Sequence, residues 1–233
     1  MTVDELLQAG AEGRLSDLLA ERGHEVTPEL AEEVRNVFRQ ATGSGDGNLA
    51  FLAAGVAAQV YLTLGDRYNA LLNQIDFQQL AFMAANTLEE YSNVREGSAQ
   101  LRTMASGTGA QDLAFRAAVL AADSSFFAID AAPAAERDSL IVQTLRDVLE
   151  ACAVADESQS VWFERLVSLL AASANAAMSV LMSDDEEREA KELLKKLAAE
   201  ADRLVPVEFA YAGDPEKTSN TAATLAALSD AYG

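Results

Sequence analysis

The chain has 233 residues, 46 of them alanine, with 13 glycines, 4 prolines, half of its residues hydrophobic and a formal charge of -20. A chain of this length can bury a sizeable core without staples, and its one cysteine, Cys152, excludes an internal disulfide and a cysteine-rich zinc site. Thirty-seven acidic side chains against 17 basic ones oppose binding to nucleic acid or to an anionic membrane surface, since both gain affinity through lysine and arginine.

In chain order, the 3–4 spacing of apolar residues predicts helices at about 3–9, 14–22, 28–42, 48–64, 67–92, 97–105, 110–128, 135–154, 159–182, 185–204 and 218–231. No stretch alternates apolar and polar residues as a strand would. Thr2-x-x-Glu5 and Ser183-x-x-Glu186 read as capping boxes, and Thr27 before Pro28 sets a cap ahead of a proline at the first helical position. Breaks fall at Gly10 to Gly13, Gly23, the Gly43 to Gly47 run, Gly65-Asp66, Gly107 to Gly109, around Pro133 and at Asp156 to Ser158. Short loops between such helices force antiparallel neighbours, so the expected fold is all-α, an antiparallel helix-pair solenoid or bundle. Composition suggests N-terminal helices over 1–46, a helical-repeat core over 47–204 and a C-terminal segment with a capping helix over 205–233.

Two uncharged runs, 47–65 and 166–183, approach the length of a membrane span. Both are rich in alanine, carry Asn, Gln, Ser or Thr and lack basic flanks, so they read as buried helices of a helical stack. The segments starting at Phe51, Phe115 and Leu170 resemble one another, through internal duplication or through alanine bias.

From Phe51 to Ala85 the residues carry a family resemblance. Ala58, Tyr61, the Gly65-Asp66 turn and Ala70 stand where a small residue, an aromatic, a turn and a second small residue recur in tetratricopeptide repeats, and the segment resembles one such helix pair. The tryptophan-leucine pair of that family is replaced by Ala54 and Ala57, and Phe82 stands in place of the closing proline. The resemblance covers one repeat and implies binding of a peptide in a concave groove.

Groups suited to catalysis are few. His24 is the single histidine and follows Gly23 at the predicted end of a helix, a capping position favoured by the helix dipole. No Ser-His-Asp, Cys-His or two-histidine metal set can be assembled from this chain. The carboxylate pairs Glu32-Glu33 and Glu89-Glu90 read as solvated, and the run from Asp184 to Glu187 reads as the acidic first turn of a helix. The Gly43 to Gly47 run lacks the Lys-Ser/Thr of a phosphate loop. Neither cofactor nor metal is expected.

Binding residues are easier to nominate. Arg67, Tyr68, Asn69, Asn73 and Gln74 open a stretch dense in uncharged hydrogen-bonding groups, and the three amides lie within a turn of one another where they can meet a peptide backbone. A solvated helix face accounts for the same residues. The expected function is a non-enzymatic helical-repeat scaffold for a protein or peptide partner, with a basic partner as one reading of the acidity. A self-assembling structural subunit is the alternative, followed by a small-molecule enzyme or sensor with a pocket between helices. The lone thiol and the absence of a signal peptide suggest the cytoplasm.

Overall fold

A computed structural model describes residues 1–180, 184–208 and 215–232, with side chains at all of these except 184, 205–208, 215–220 and 222. The described residues form α-helices and two short 3-10 segments with no strand. The helices are α1 (Val3–Ala11), α2 (Leu15–Arg22), α3 (Pro28–Ser44), α4 (Gly47–Thr63), α5 (Arg67–Ala84), α6 (Leu88–Thr108), α7 (Gln111–Ala131), α8 (Arg137–Ala153), α9 (Ser160–Ser179), α10 (Asp184–Glu208) and α11 (Pro215–Tyr232). The 3-10 segments are Gly23–Glu25 and Ala134–Glu136.

Local chemistry sets several boundaries as expected. At α1 the Thr2 Oγ1 accepts from the Glu5 N–H at 3.2 Å, and Glu5 Oε2 accepts from the Thr2 N–H at 2.7 Å. At α3 the Thr27 Oγ1 accepts from the Leu30 N–H, with Pro28 next to it. The box expected at Ser183 lies outside the described residues.

Elsewhere the structure corrects the reading. The helix expected over 67–92 stops at Ala84, and the one expected over 97–105 begins nine residues earlier, at Leu88. A third capping box ends the first and starts the second: Thr87 Oγ1 accepts from the Glu90 N–H, and Glu90 Oε2 accepts from the N–H groups of Asn86 and Thr87. The glycine-rich stretch after 42 is mostly helix, because α3 runs on to Ser44 and Asp46 already caps α4 by accepting from Leu49 N–H at 3.0 Å.

The chain divides into two compact units, Met1–Ala84 and Ala85–Gly233. Of the boundaries suggested by composition, 46 lies between α3 and α4 inside the first unit, and 204 lies within α10 in the second. In the first unit α4 is central and packs against α1, α2, α3 and α5. Its alanines make that possible: Ala50, Ala53, Ala54, Ala57 and Ala58 are all buried, so neighbouring helices approach closely on several sides. The three-residue turn into α5 places Gly65 at φ +76, a left-handed conformation in which a Cβ would be strained.

In the second unit α7 holds the centre, against α6, α8 and α9, and from 113 to 125 every residue except Arg116 is buried. Phe115, Leu145, Leu166, Leu170, Leu194 and Leu197 are fully enclosed in one cluster, and each such side chain contributes about 1.5–3 kcal/mol of burial. The three alanine-rich segments that resemble one another thus fall in α4, α7 and α9, each largely buried in its unit. No helix among the described residues is long and apolar enough to cross a membrane.

Candidate functional site

The five nominated residues occupy the first two turns of α5. Asp66 stands ahead of that helix and accepts from the Asn69 N–H at 3.1 Å and from Asn69 Nδ2 at 2.7 Å. Asn69 Oδ1 in turn accepts from Arg35 Nη1 at 2.8 Å, which ties α5 to α3. Asn69 is therefore engaged at both ends of its amide. Asn73 is fully buried, its Nδ2 donating to the Asn69 carbonyl at 2.7 Å and its Oδ1 left without a hydrogen bond. Its amide points into the unit, which corrects the expectation of three amides presented together to a ligand. Arg67 and Tyr68 are on the surface, the tyrosine 46 % exposed, and Gln74 is partly buried.

Beside this cluster a second polar set crosses from α4 to α3. Tyr61 donates its hydroxyl to Glu32 Oε2 at 2.8 Å, and Arg39 Nη1 donates to Glu32 Oε1 at 2.6 Å. The tyrosine hydroxyl and the guanidinium hold the Glu32 carboxyl below its ordinary range, while burial and then the facing carboxylate push the Tyr61 phenol up. These groups join α4 to α3.

The first unit also has a pocket that the sequence reading missed, with a volume of about 270 Å³. Leu15, Phe51, Leu52, Val56 and Phe77 form apolar walls, while Ser16 and Gln59 supply polar groups. The rings of Phe51 and Phe77 lie 3.9 Å apart between centroids, tilted by 39°. Phe51, Gly55 and Gln59 are spaced four apart along α4, so they share one face, and that spacing with a glycine inside a helix was the available signal. None of Arg67, Tyr68, Asn69, Asn73 or Gln74 lines it.

Buried charge in the second unit is concentrated around α7. Asp147 of α8 accepts from Arg95 Nε at 2.6 Å, from Arg95 Nη2 at 3.1 Å, from Gln143 Nε2 at 3.0 Å and from the Ser125 hydroxyl. One carboxylate thereby joins α6, α7 and α8. Asp123 of α7 pairs with Arg165 of α9, yet burial outweighs the guanidinium and leaves its carboxyl raised. A second cavity, about 420 Å³ between α10 and α11, has Arg188, Lys191 and Lys195 in its lining. Each of these cations is matched by a carboxylate of α10, namely Asp185, Glu187 and Glu192.

His24 is exposed in the 3-10 segment after α2. Cys152 is buried in the core of the second unit, and burial pushes its thiol up to about 12. No group of three or more His, Cys, Asp or Glu side chains is placed to hold a metal ion among the described residues.

No family model matches the chain. No curated protein matches it either. Among solved structures the chain is similar to one of a "DHF58 filament", with 20 % identity over 99 % of this chain and 94 % of that one and a TM-score of 0.25. A likeness that slight carries no argument about assembly.

Proposed function

We propose that the chain is a non-enzymatic helical scaffold whose α4–α5 pair, tetratricopeptide-like in its small residues and turn, binds a protein or peptide partner. The observation that supports this most directly is the pair itself. Ala58, Tyr61 and Ala70 are buried and the chain reverses at a left-handed Gly65, which are the features such a pair needs. The contact surface on this reading is the start of α5, where Arg67 and Tyr68 stand at the surface above the Asp66–Asn69–Arg35 hydrogen bonds that fix their helix. A half-exposed tyrosine beside a guanidinium is a common interface anchor.

Cross-linking in the source cells, wild type against Tyr68→Ala, tests the reading. A partner captured by wild type is expected to be lost or reduced at least tenfold, about 1.4 kcal/mol, in the variant. Asn73→Ala alters stability and leaves capture intact, because its amide is internal. Capture that is untouched by Tyr68→Ala and by a further Arg67→Ala overturns the assignment of this surface.

A further inference from the structure

We infer that the pocket of the first unit binds a compact, uncharged aromatic molecule, of the size of phenol or indole, in a space that Gly55 keeps open. Three glycines border that pocket, and each is glycine for a different reason. Gly13 has φ +70 and is required by its backbone. At Gly10 a Cβ would lie 2.6 Å from Val56 Cγ2 and 3.1 Å from Leu52 Cδ1, so a side chain there would push α1 off α4.

Gly55 has neither excuse. It sits in the middle of α4, where glycine is a poor helix former beside alanine. Its φ is not in the left-handed region, and the nearest atoms a Cβ would meet are Phe77 Cδ2 and Cε2, both at 3.6 Å, which is ordinary contact. Alanine therefore fits the helix and the packing. What it would take away is room: the methyl group would stand against the Phe77 ring, in the open pocket that Phe51, Leu52 and Phe77 line.

The lining identifies the ligand class. A volume of about 270 Å³ is smaller than the pockets that hold large cofactors and admits one ring or a fused pair. The tilted Phe51 and Phe77 rings offer edge and face contacts to an aromatic. Ser16 and Gln59 supply polar partners for one hydroxyl or ring N–H, and no charged side chain belongs to the lining, so an ionised ligand would lose hydration without an opposing charge.

The inference goes beyond the scaffold reading and uses none of its contact residues, so either can fail alone. Titration of the full chain with phenol and with indole, followed by NMR of amides and methyl groups, tests it, with benzoate as the charged control. Saturable shifts centred on Phe51, Leu52, Val56 and Phe77 are expected for the neutral probes, with benzoate at least tenfold weaker. Gly55→Ala is expected to weaken binding by about tenfold or more while its thermal midpoint stays level or rises. Gly107→Ala, at a helical glycine with nothing within 4 Å of its added Cβ, leaves binding unchanged. Absence of saturable binding, unchanged affinity in Gly55→Ala, or a sharp fall in that variant's midpoint overturns the inference. A tryptophan-bearing peptide that binds the pocket at least tenfold more tightly than free indole also overturns it, by assigning the space to a protein side chain.

Discussion

Asp147 and Asp123 are both buried carboxylates facing an arginine, yet their surroundings differ. Asp147 receives four hydrogen bonds from three side chains on three helices, so its desolvation is offset at several points. Asp123 has Arg165 alone to oppose burial, and that guanidinium is itself partly in water. A carboxyl raised in this way is protonated in the folded state before the unfolded one, so its contribution to stability improves as pH falls. Glu25 runs the other way. The Arg22 guanidinium donates to both its oxygens, at 2.8 and 2.7 Å, and together with the Met1 ammonium, which donates to Oε2 at 2.7 Å, it holds the carboxyl at about 2, below the ordinary 4.5. A depressed carboxyl stabilises the fold above its unfolded value and loses that contribution as pH falls through the folded one. The gap in thermal midpoint between wild type and Glu25→Gln is therefore expected to be widest well above pH 4.5 and to close as pH approaches 2. A gap that widens on acidification contradicts this assignment.

At the scale of the element, the α4–α5 pair depends on what is absent from its contact. Ala58 and Ala70 are 4 % and 3 % exposed, and a leucine at either would force three more carbon atoms into a close-packed seam. Each replacement is expected to cost about 1–3 kcal/mol, read as a lower urea midpoint with an unchanged slope. Midpoints that do not move in either variant show that the helices can separate, and remove the packing basis of the proposed scaffold. Gly55→Ala on the same helix has the opposite expected sign, because its methyl group meets only ordinary contacts. Ala58→Leu and Gly55→Ala, both on α4, thus separate a seam from a pocket. The break between α5 and α6 was legible too: Thr87-x-x-Glu90 has the same form as the box at Thr2. Apolar residues continue through Leu80, Phe82 and Met83 to Leu88, and this periodicity masked the cap.

For the whole molecule, the acidity is spread over the chain, -6 across 1–46, -8 across 47–183 and -6 across 184–233. Many of the ion pairs lie on exposed helix faces, such as Arg39 with Glu32 and Lys195 with Glu192, where each contributes little. The remaining acids repel one another over distances of about 10 Å at 0.1 M salt. Raising sodium chloride from about 0.02 to 0.5 M is expected to raise the thermal midpoint, because screening weakens that repulsion more than it weakens the paired contacts. A midpoint that falls over this range places the ion pairs above the net charge in the stability of the fold.

What the sequence determined by itself is the helical class, most of the helices and the caps at Thr2 and Thr27, because 3–4 periodicity and capping are local and act within a few residues. The alanine-rich runs were legible as buried for the same reason. Asn73 reads along the chain like its neighbours Asn69 and Gln74, and only the packing of α5 turned its amide inward. Arg35 reached Asn69 across 34 residues, and Arg95 reached Asp147 across 52. The pocket required the corner between α1 and α2 to meet a face of α4 and one ring from α5. Such sites depend on which helices become neighbours, and that choice is made by the summed burial of whole faces. No local pattern in the sequence records it.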